Sequence, residues 1–154
     1  MLLKDDEHWM GIALSLAASA RDMDEVPVGA VVVRDNEIIG EGFNQTLNLN
    51  DPSAHAEIMA LRDAARKVEN YRLVDACLYV TIEPCTMCAG ALIHARIRRL
   101  VYGAKEPRAG AIESSIQVLD NPSLNHKLEV TSGVCEDAAS EIMSTFFRSK
   151  RKKT

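Results

Sequence analysis

Two short segments carry the residue types that a catalytic metal site needs. His55 is followed two positions later by Glu57, and Cys85 and Cys88 lie three positions apart behind a proline. The Cys-x-x-Cys spacing is typical of zinc ligation, and one histidine with two thiolates leaves a fourth tetrahedral position for water. We therefore predict an open, catalytic zinc site formed by His55, Cys85 and Cys88. Glu57 is the candidate base that moves protons.

Both ligand segments are expected at helix starts, where the helix dipole stabilises thiolates. Glu57 then requires a distorted first turn, because residues two apart do not share a helix face. Two alternatives use the cysteines differently. Cys85 and Cys88 could form a redox pair, or half of a structural four-cysteine zinc site completed by Cys77 and Cys135. Those last two fit better as small buried side chains.

The elements that must position these segments alternate along the chain. Apolar periodicity predicts helices over residues 7–21, 58–68, 85–95 and 136–148, and a short one over 116–119. β-rich runs predict strands over residues 30–33, 37–43, 76–82, 97–102 and 128–130. Strands that alternate with helices indicate an α/β layered domain with helices on both faces of the sheet.

Composition and charge narrow the function classes. With 154 residues, 47% hydrophobic and 26% charged, the chain is expected to form one globular domain in the cytoplasm, with no secretory signal and no membrane span. The net charge is −4, yet residues 148–154 carry five cations and no acid. This segment is either a contact for a polyanion or a solvated tail. A second basic cluster comprises Arg96, Arg98, Arg99, Lys105 and Arg108.

The motifs resemble those of a known superfamily. His55-Ala56-Glu57 with Pro84-Cys85-Thr86-Met87-Cys88 is the signature of the cytidine-deaminase-like zinc deaminases. Within it, the chain is similar to bacterial tRNA-specific adenosine deaminases, which convert the wobble adenosine at anticodon position 34 to inosine. The similar stretches are residues 25–31, 40–44, 51–61, 70–73, 78–97, 125–126 and 146–148.

The resemblance implies a fold and an assembly. The fold would be a three-layer α/β/α cytidine-deaminase-like domain, with a central mixed five-stranded sheet and helices on both faces. Residues 1–147 would form a single zinc deaminase domain, and residues 148–154 a basic C-terminal tail. The family is homodimeric, with one zinc ion per subunit, and the partner completes the surface for the tRNA anticodon stem-loop.

The resemblance also implies roles for individual residues. His55, Cys85 and Cys88 would hold zinc, and Glu57 would shuttle protons while water activated there attacks C6 of adenine. The base pocket would be formed by Asn44, which hydrogen-bonds the flipped base, by Val28 and Ile82, which pack on it, and by the backbone around Ala54 and Pro84. The RNA surface would include Glu106, Phe147, Arg148, Lys150 and Arg151.

Two departures from the family pattern concern substrate contacts. Glu106 stands where the family usually has aspartate, and Thr46 where a proline is frequent. Neither change touches the metal ligands or the acid/base residue Glu57. Two rival functions stay open. One is a deaminase of a free nucleobase, guanine or cytosine, with the same chemistry. The other is a non-catalytic, zinc-stabilised RNA-binding subunit, which the presence of Glu57 disfavours.

Overall fold

The computed structural model describes residues 3–152. In chain order the elements are α1 Asp6–Asp22, β1 Gly29–Arg34, β2 Glu37–Phe43, α2 Ala56–Val68, β3 Cys77–Ile82, α3 Thr86–His94, β4 Arg99–Ala104, a 3₁₀ turn Val118–Asp120, β5 Glu129–Thr131 and α4 Glu136–Lys152. Every predicted element is present. The fourth strand begins two residues later than predicted, and the last helix continues four residues beyond 148.

The strands form one mixed five-stranded sheet in the order β2-β1-β3-β4-β5. β1 is antiparallel to β2 and to β3, whereas β3, β4 and β5 run parallel. Every residue of β3 is buried, as expected for the central strand of a covered sheet. Because β3 and β4 are parallel, their carboxyl ends meet at one edge, where ligands bind in open α/β sheets.

Helices cover both faces of the sheet, and the predicted three-layer α/β/α architecture is confirmed. α2 and α3 pack on one face through a core that includes Ala60, Leu92 and Tyr102. α1 packs on the other face through Trp9 and Met10, and α4 joins it beside β4. No helix within residues 3–152 is long and apolar enough to cross a membrane.

Close backbone contact fixes α2 against the edge strand β2. A Cβ atom at Gly42 would lie 2.5 Å from the amide nitrogen of Ala60 and 2.6 Å from the carbonyl oxygen of Ala56. A side chain at this position would therefore push the helix away from the sheet. This contact sets the position of the α2 N-terminus, and with it that of His55.

A partly buried ion pair holds the start of α1 on the sheet. Arg99 donates hydrogen bonds of 2.9 and 2.7 Å to the two carboxylate oxygens of Asp6, and the Tyr79 hydroxyl donates a third of 2.7 Å. The Arg99 guanidinium lowers the pKa of Asp6. Arg99 is therefore paired with Asp6 and does not belong to the basic cluster that the sequence suggested.

Candidate active site

The backbone at His55 explains how Glu57 reaches the same pocket. His55 is the residue before α2 and has an extended backbone (φ −74°, ψ 155°), so the helix begins only at Ala56. The regular rotation from one helical residue to the next therefore does not apply at His55, whose extended backbone directs its side chain. His55 and Glu57 both line one pocket. The expected distortion of the first helical turn is unnecessary.

The two cysteines repeat this arrangement at the next helix. Cys85 precedes α3 with an extended backbone (φ −80°, ψ 179°), and Cys88 lies in the first turn. His55 Nδ1 is 3.6 Å from each of the two sulfur atoms, and all three atoms lie within 4.8 Å of one another. Zinc bonds of about 2.3 Å to sulfur and 2.0–2.1 Å to nitrogen at the tetrahedral angle put N and S about 3.6 Å apart. These donors therefore fit zinc.

The three groups lie close enough to shift one another's pKa values. Proximity to the Cys88 thiol, and then to His55, lowers the pKa of Cys85 to about 3. The neighbouring Cys85 thiolate and burial raise the pKa of Cys88, and Cys85 also raises that of His55. The two sulfurs thus share one proton, since two thiolates repel. A divalent cation between them would remove that repulsion and stabilise both thiolates.

No other group of this kind occurs in the described part of the chain. His55, Cys85 and Cys88 are the sole set of three or more His, Cys, Asp or Glu donors that could hold a metal ion within residues 3–152. Cys77 lies buried at the start of β3, where it accepts a hydrogen bond from Arg98. A four-cysteine structural site is therefore unsupported.

Glu57 occupies the floor of the pocket. Its side chain is only 4% exposed, and burial raises its pKa to about 7. A carboxyl group with a pKa near neutrality can both accept and release a proton during turnover.

Asn44 links the pocket to the start of α2. Its Oδ1 accepts a hydrogen bond of 3.1 Å from the backbone amide of Ala56. The backbone amide of Asn44 donates to the Val28 carbonyl. His55 occupies the capping position of α2, yet its side chain makes no capping bond. Asn44 supplies that acceptor from the end of β2. With Oδ1 fixed in this way, the Asn44 NH₂ group is the end available to a ligand.

The pocket has a volume of about 240 Å³, the size of a single ring system rather than of a drug-sized molecule. Its lining residues are Val26, Val28, Asn44, His55, Glu57, Ile82, Glu83, Cys85, Glu106, Ala109 and Met143. Ala54 and Pro84 lie buried directly behind it rather than in its lining. Their carbonyl groups accept hydrogen bonds from the amides of Gln45 and Ala111.

A groove of about 470 Å³ continues from the pocket along α4. The groove and the pocket share Ile82, Glu106 and Met143. The groove is further lined by Ala104, Lys105, Ser140, Ser144, Phe147, Arg148 and Arg151. Three of the four RNA-contacting residues suggested for the C-terminal region therefore meet in one groove.

Lys150, the fourth of these residues, lies elsewhere. It forms an ion pair with Asp24, next to the end of α1, and its ammonium group is 5.4 Å from the centre of the Phe146 ring. Phe146 is buried, as expected from its helical spacing, whereas Phe147 is 40% exposed. Lys150 and Phe146 thus hold the end of α4 in place.

Sequence reasoning missed Glu25 as a residue of this site. Its buried carboxylate accepts hydrogen bonds from the amides of Leu47 (3.1 Å) and Asn48 (2.8 Å), from Asn48 Nδ2 (2.7 Å) and from the Thr46 hydroxyl (3.4 Å). Burial raises the pKa of Glu25, but these bonds outweigh it and lower the net value. Glu25 thereby anchors the loop that joins the pocket wall to His55, the candidate metal ligand that precedes α2. Thr46, which departs from the family pattern, contributes one of the bonds.

Glu83 was missed in the same way, and it anchors the opposite wall. Its carboxylate accepts hydrogen bonds from the amides of Glu106 (3.1 Å), Ile112 (3.1 Å), Glu113 (2.7 Å) and Ser114 (2.9 Å), and from the Ser114 hydroxyl. Burial raises its pKa, but the bonds from Glu113 and Ser114 prevail and lower it to about 2. An acid close before a proline, in Glu83-Pro84 and in the segment 25–27, is the one signal that could have drawn attention to both residues.

Comparison with known proteins identifies the family. Residues 4–151 match the sequence model of the MafB19-like deaminases. The chain belongs to this family. It is 53% identical to a tRNA-specific adenosine deaminase of Haemophilus influenzae over 147 residues, which are 95% of this chain and 85% of that protein. The resemblance inferred from the motifs is confirmed.

Solved structures give the same fold. A structure from a study of A-to-I editing by tRNA:A34 deaminases at the wobble position of transfer RNA has a TM-score of 0.85 and 49% identity, over 88% of this chain and 98% of that one. A guanine deaminase from Nitrosomonas europaea has a TM-score of 0.78 but only 28% identity, over 95% and 86%. The free-base deaminases are therefore the more distant relatives of this deaminase.

Proposed function

We propose that this deaminase hydrolyses the wobble adenosine, at position 34 of the tRNA anticodon, to inosine with zinc as its cofactor. The observation that carries the proposal is the His55, Cys85 and Cys88 donor set beside the buried Glu57, at the floor of a pocket the size of one base. High identity to a tRNA-specific adenosine deaminase supports the choice of substrate. Such an enzyme works in the cytoplasm, where tRNA is modified.

The residues of the pocket divide the chemistry among them. His55, Cys85 and Cys88 hold the ion, and zinc when bound supplies a Lewis acid that lowers the pKa of water. Glu57 accepts a proton from the attacking water and delivers protons to the purine, so that the C6–N bond breaks and ammonia leaves. Adenosine and water thus give inosine and ammonia. The burial of Glu57 shields its carboxyl group from bulk water.

Base recognition follows from the hydrogen bonds that already exist in the protein. The Ala56 amide occupies Asn44 Oδ1, so Asn44 offers its NH₂ group to a ring nitrogen acceptor of the flipped base. Val28 and Ile82 provide apolar surfaces for the faces of the ring. An unstacked base of an anticodon loop reaches such a pocket at low cost, because extrusion from a loop breaks little stacking.

The groove along α4 supports an RNA substrate rather than a free base. It leads out of the pocket and carries Lys105, Arg148 and Arg151 together with the exposed ring of Phe147. Cations contact phosphates, and an exposed aromatic ring can stack on a splayed nucleotide. In this proposal residues 1–147 form the catalytic domain and residues 148–154 the basic segment that follows it.

We further expect a homodimer with one zinc site per subunit. A mainly apolar groove of about 250 Å³ lies between α2 and α3 and includes Leu61, Ala65 and Ala91. Gly90 on α3 faces open space, since a Cβ atom there would meet nothing within 4 Å. Gly90→Arg is expected to give monomers in analytical ultracentrifugation. Gly11→Arg is the matched control, because Gly11 on α1 is equally open. Dimers that persist in both variants would place the interface elsewhere.

Incubation with total tRNA tests the proposed activity. The products are sequenced for adenosine read as guanosine, and a signal confined to position 34 is the expected result. Turnover of free guanine or cytosine without any tRNA signal would favour the free-base alternative. RNA binding without deamination of either substrate would favour the non-catalytic subunit.

The role of Glu57 is tested by Glu57→Gln, an isosteric change. Zinc content by atomic absorption is expected to equal that of the wild type, while the deamination rate falls by at least about 100-fold. Glu41→Gln, in an exposed position of β2, is the matched control and is expected to keep full activity. A Glu57→Gln variant with more than about a tenth of the wild-type rate would refute the role.

A further inference from the structure

A basic pocket lies at the edge of the sheet opposite the catalytic pocket. It has a volume of about 320 Å³ and is lined by Arg72, Val74, Asp75, Arg96, Arg98, His126 and Lys127. The lining holds four permanent cations against one carboxylate, so its net charge is +3 with His126 neutral. The chain as a whole carries −4. A concentration of positive charge on an acidic body is the footprint of an anionic partner.

The topology of the sheet brings these cations together. β3, β4 and β5 run parallel, so their amino ends lie at one edge. Asp75 precedes β3, Arg98 precedes β4 and Lys127 precedes β5. Segments that are far apart in sequence thereby meet. Only Arg96 and Arg98 of the basic cluster seen in the sequence belong to this pocket, because Lys105 faces the groove along α4.

The pocket is separate from the catalytic site. The metal-ligating segment follows β3 at its carboxyl end, whereas the basic pocket precedes β3 at its amino end. The six residues of β3 span roughly 20 Å at about 3.3 Å per residue. The cations therefore cannot contact the base that enters the catalytic pocket of the same subunit.

The cations are only weakly neutralised within the protein. Among the residues that the structure describes, Arg72, Arg96 and Lys127 have no carboxylate within ion-pair distance. Arg98 has Glu129 at 4.0 Å, with both side chains at least half exposed. Such a pair contributes little and leaves the guanidinium available.

We propose that this basic pocket binds backbone phosphates of the tRNA substrate and so extends the RNA footprint beyond the anticodon loop. The proposal rests on the proposed function. A site for a free phosphate would use an enclosed cradle of backbone amides. Here the donors are long side chains that follow an edge of the sheet, and three of them, Arg72, Arg98 and Lys127, are exposed, which suits a chain of successive phosphates. Contacts of this kind fix the orientation of the RNA and do not read its sequence.

The test compares salt dependence of tRNA binding in two double variants. Arg72→Gln with Lys127→Gln removes two pocket cations, and each lost phosphate contact reduces the slope of log K against log salt by about 0.7–0.9. The loss of affinity between 50 and 200 mM salt is then about tenfold smaller than in the wild type. Arg21→Gln with Lys67→Gln removes the same charge from exposed helix positions paired with acids. That control is expected to keep the wild-type slope.

Asp75→Asn supplies a variant that gains affinity. Asp75 is the carboxylate in the pocket, and asparagine tolerates its left-handed backbone (φ 64°). Tighter tRNA binding is expected, which a merely structural role would not produce.

The possible outcomes are distinguishable. A wild-type protein that neither binds nor deaminates tRNA would refute the proposed function itself. If the wild type does both while Arg72→Gln with Lys127→Gln keeps the wild-type salt slope, the basic pocket is not an RNA contact and the inference fails. It also fails if inorganic phosphate binds the wild type but not this variant in calorimetry, while tRNA binding to the wild type is unchanged by phosphate at constant ionic strength. That result would identify a site for small phosphates.

Discussion

The replacement Glu25→Gln tests whether a buried carboxylate holds one wall of the catalytic pocket. Each carboxylate oxygen of Glu25 accepts two hydrogen bonds, from Thr46 and Leu47 on one side and from Asn48 on the other. Glutamine keeps the shape but replaces one acceptor by a donor. In the best arrangement the glutamine oxygen keeps the two shorter bonds from Asn48, and the glutamine NH₂ group faces Leu47. The Thr46 hydroxyl can rotate to accept from that group, but the Leu47 amide has no acceptor left.

The expected loss of stability is the sum of the unsatisfied Leu47 amide and the weaker bonds to a neutral acceptor. An unsatisfied buried amide costs about 1–3 kcal/mol, and bonds to a neutral acceptor are about 1 kcal/mol weaker than bonds to a charged one. We expect Glu25→Gln to lower the free energy of unfolding by about 3 kcal/mol at pH 7. For a chain of this size, that corresponds to a fall of about 6–12 °C in Tm. Glu37→Gln, in an exposed position of β2, is the matched control and should change stability by less than about 0.5 kcal/mol.

The pH dependence gives a second check on the charge of Glu25. Its pKa in the folded protein lies below the ordinary value of 4.5 for a glutamate. A depressed pKa contributes stability that is complete above the unfolded value and lost as the pH falls through the folded one. Urea denaturation from pH 7 to pH 3 should therefore show the difference between wild type and Glu25→Gln shrink below about pH 4.5. A difference below 0.5 kcal/mol at pH 7, or one of constant size down to pH 3, would refute the reasoning.

Three further predictions concern a metal ligand, the recognition of the nucleobase and the ion pair that holds α1 on the sheet. Cys88→Ala should bind no stoichiometric zinc and lose the zinc-dependent rise in Tm, which a zinc titration followed by calorimetry would measure. Asn44→Asp keeps the acceptor for the Ala56 amide, so Tm should stay unchanged. It replaces the donor for the base, so deamination in a kinetic assay should fall by about 100-fold, since about 3 kcal/mol is lost. Asp6→Ala leaves the partly buried Arg99 without its partner and should destabilise the protein by about 2 kcal/mol in urea denaturation.

The candidate metal site follows from the sequence because its information is local. His55 with Glu57, and Cys85 with Cys88, are each held within one turn at a helix start. β2 and β3 both run antiparallel to β1, so the helix starts that follow them lie at the same edge of the sheet. The sequence could not give the backbone angle at His55. Helical periodicity describes residues inside a helix, whereas His55 stands just outside it.

The loop anchors could not be predicted, because their partners are distant in sequence. Glu25 bonds to residues 21 to 23 positions away, and Glu83 to residues 23 to 31 positions away. Periodicity treats an acid next to a strand as a solvent-facing residue, yet both are almost fully buried. The basic residues that are clustered in the sequence do not form one surface in the structure, for a related reason. Arg98, just before β4, and Arg99, its first residue, diverge, so that Arg98 faces the basic pocket and Arg99 binds Asp6.

The two anchors imply that the walls of the pocket are shaped by contacts within the protein and do not require a metal ion. The loop after β2 contains Asn44 and is held by Glu25, and the loop after β4 contains Glu106 and is held by Glu83. Each carboxylate satisfies several backbone amides at once, and neither is a metal donor in the His55 set. Glu106 is itself fixed within its loop, since its carboxylate accepts the Arg108 amide at 2.9 Å. The walls therefore stand in place before substrate arrives, which keeps the entropic cost of binding a flipped base low.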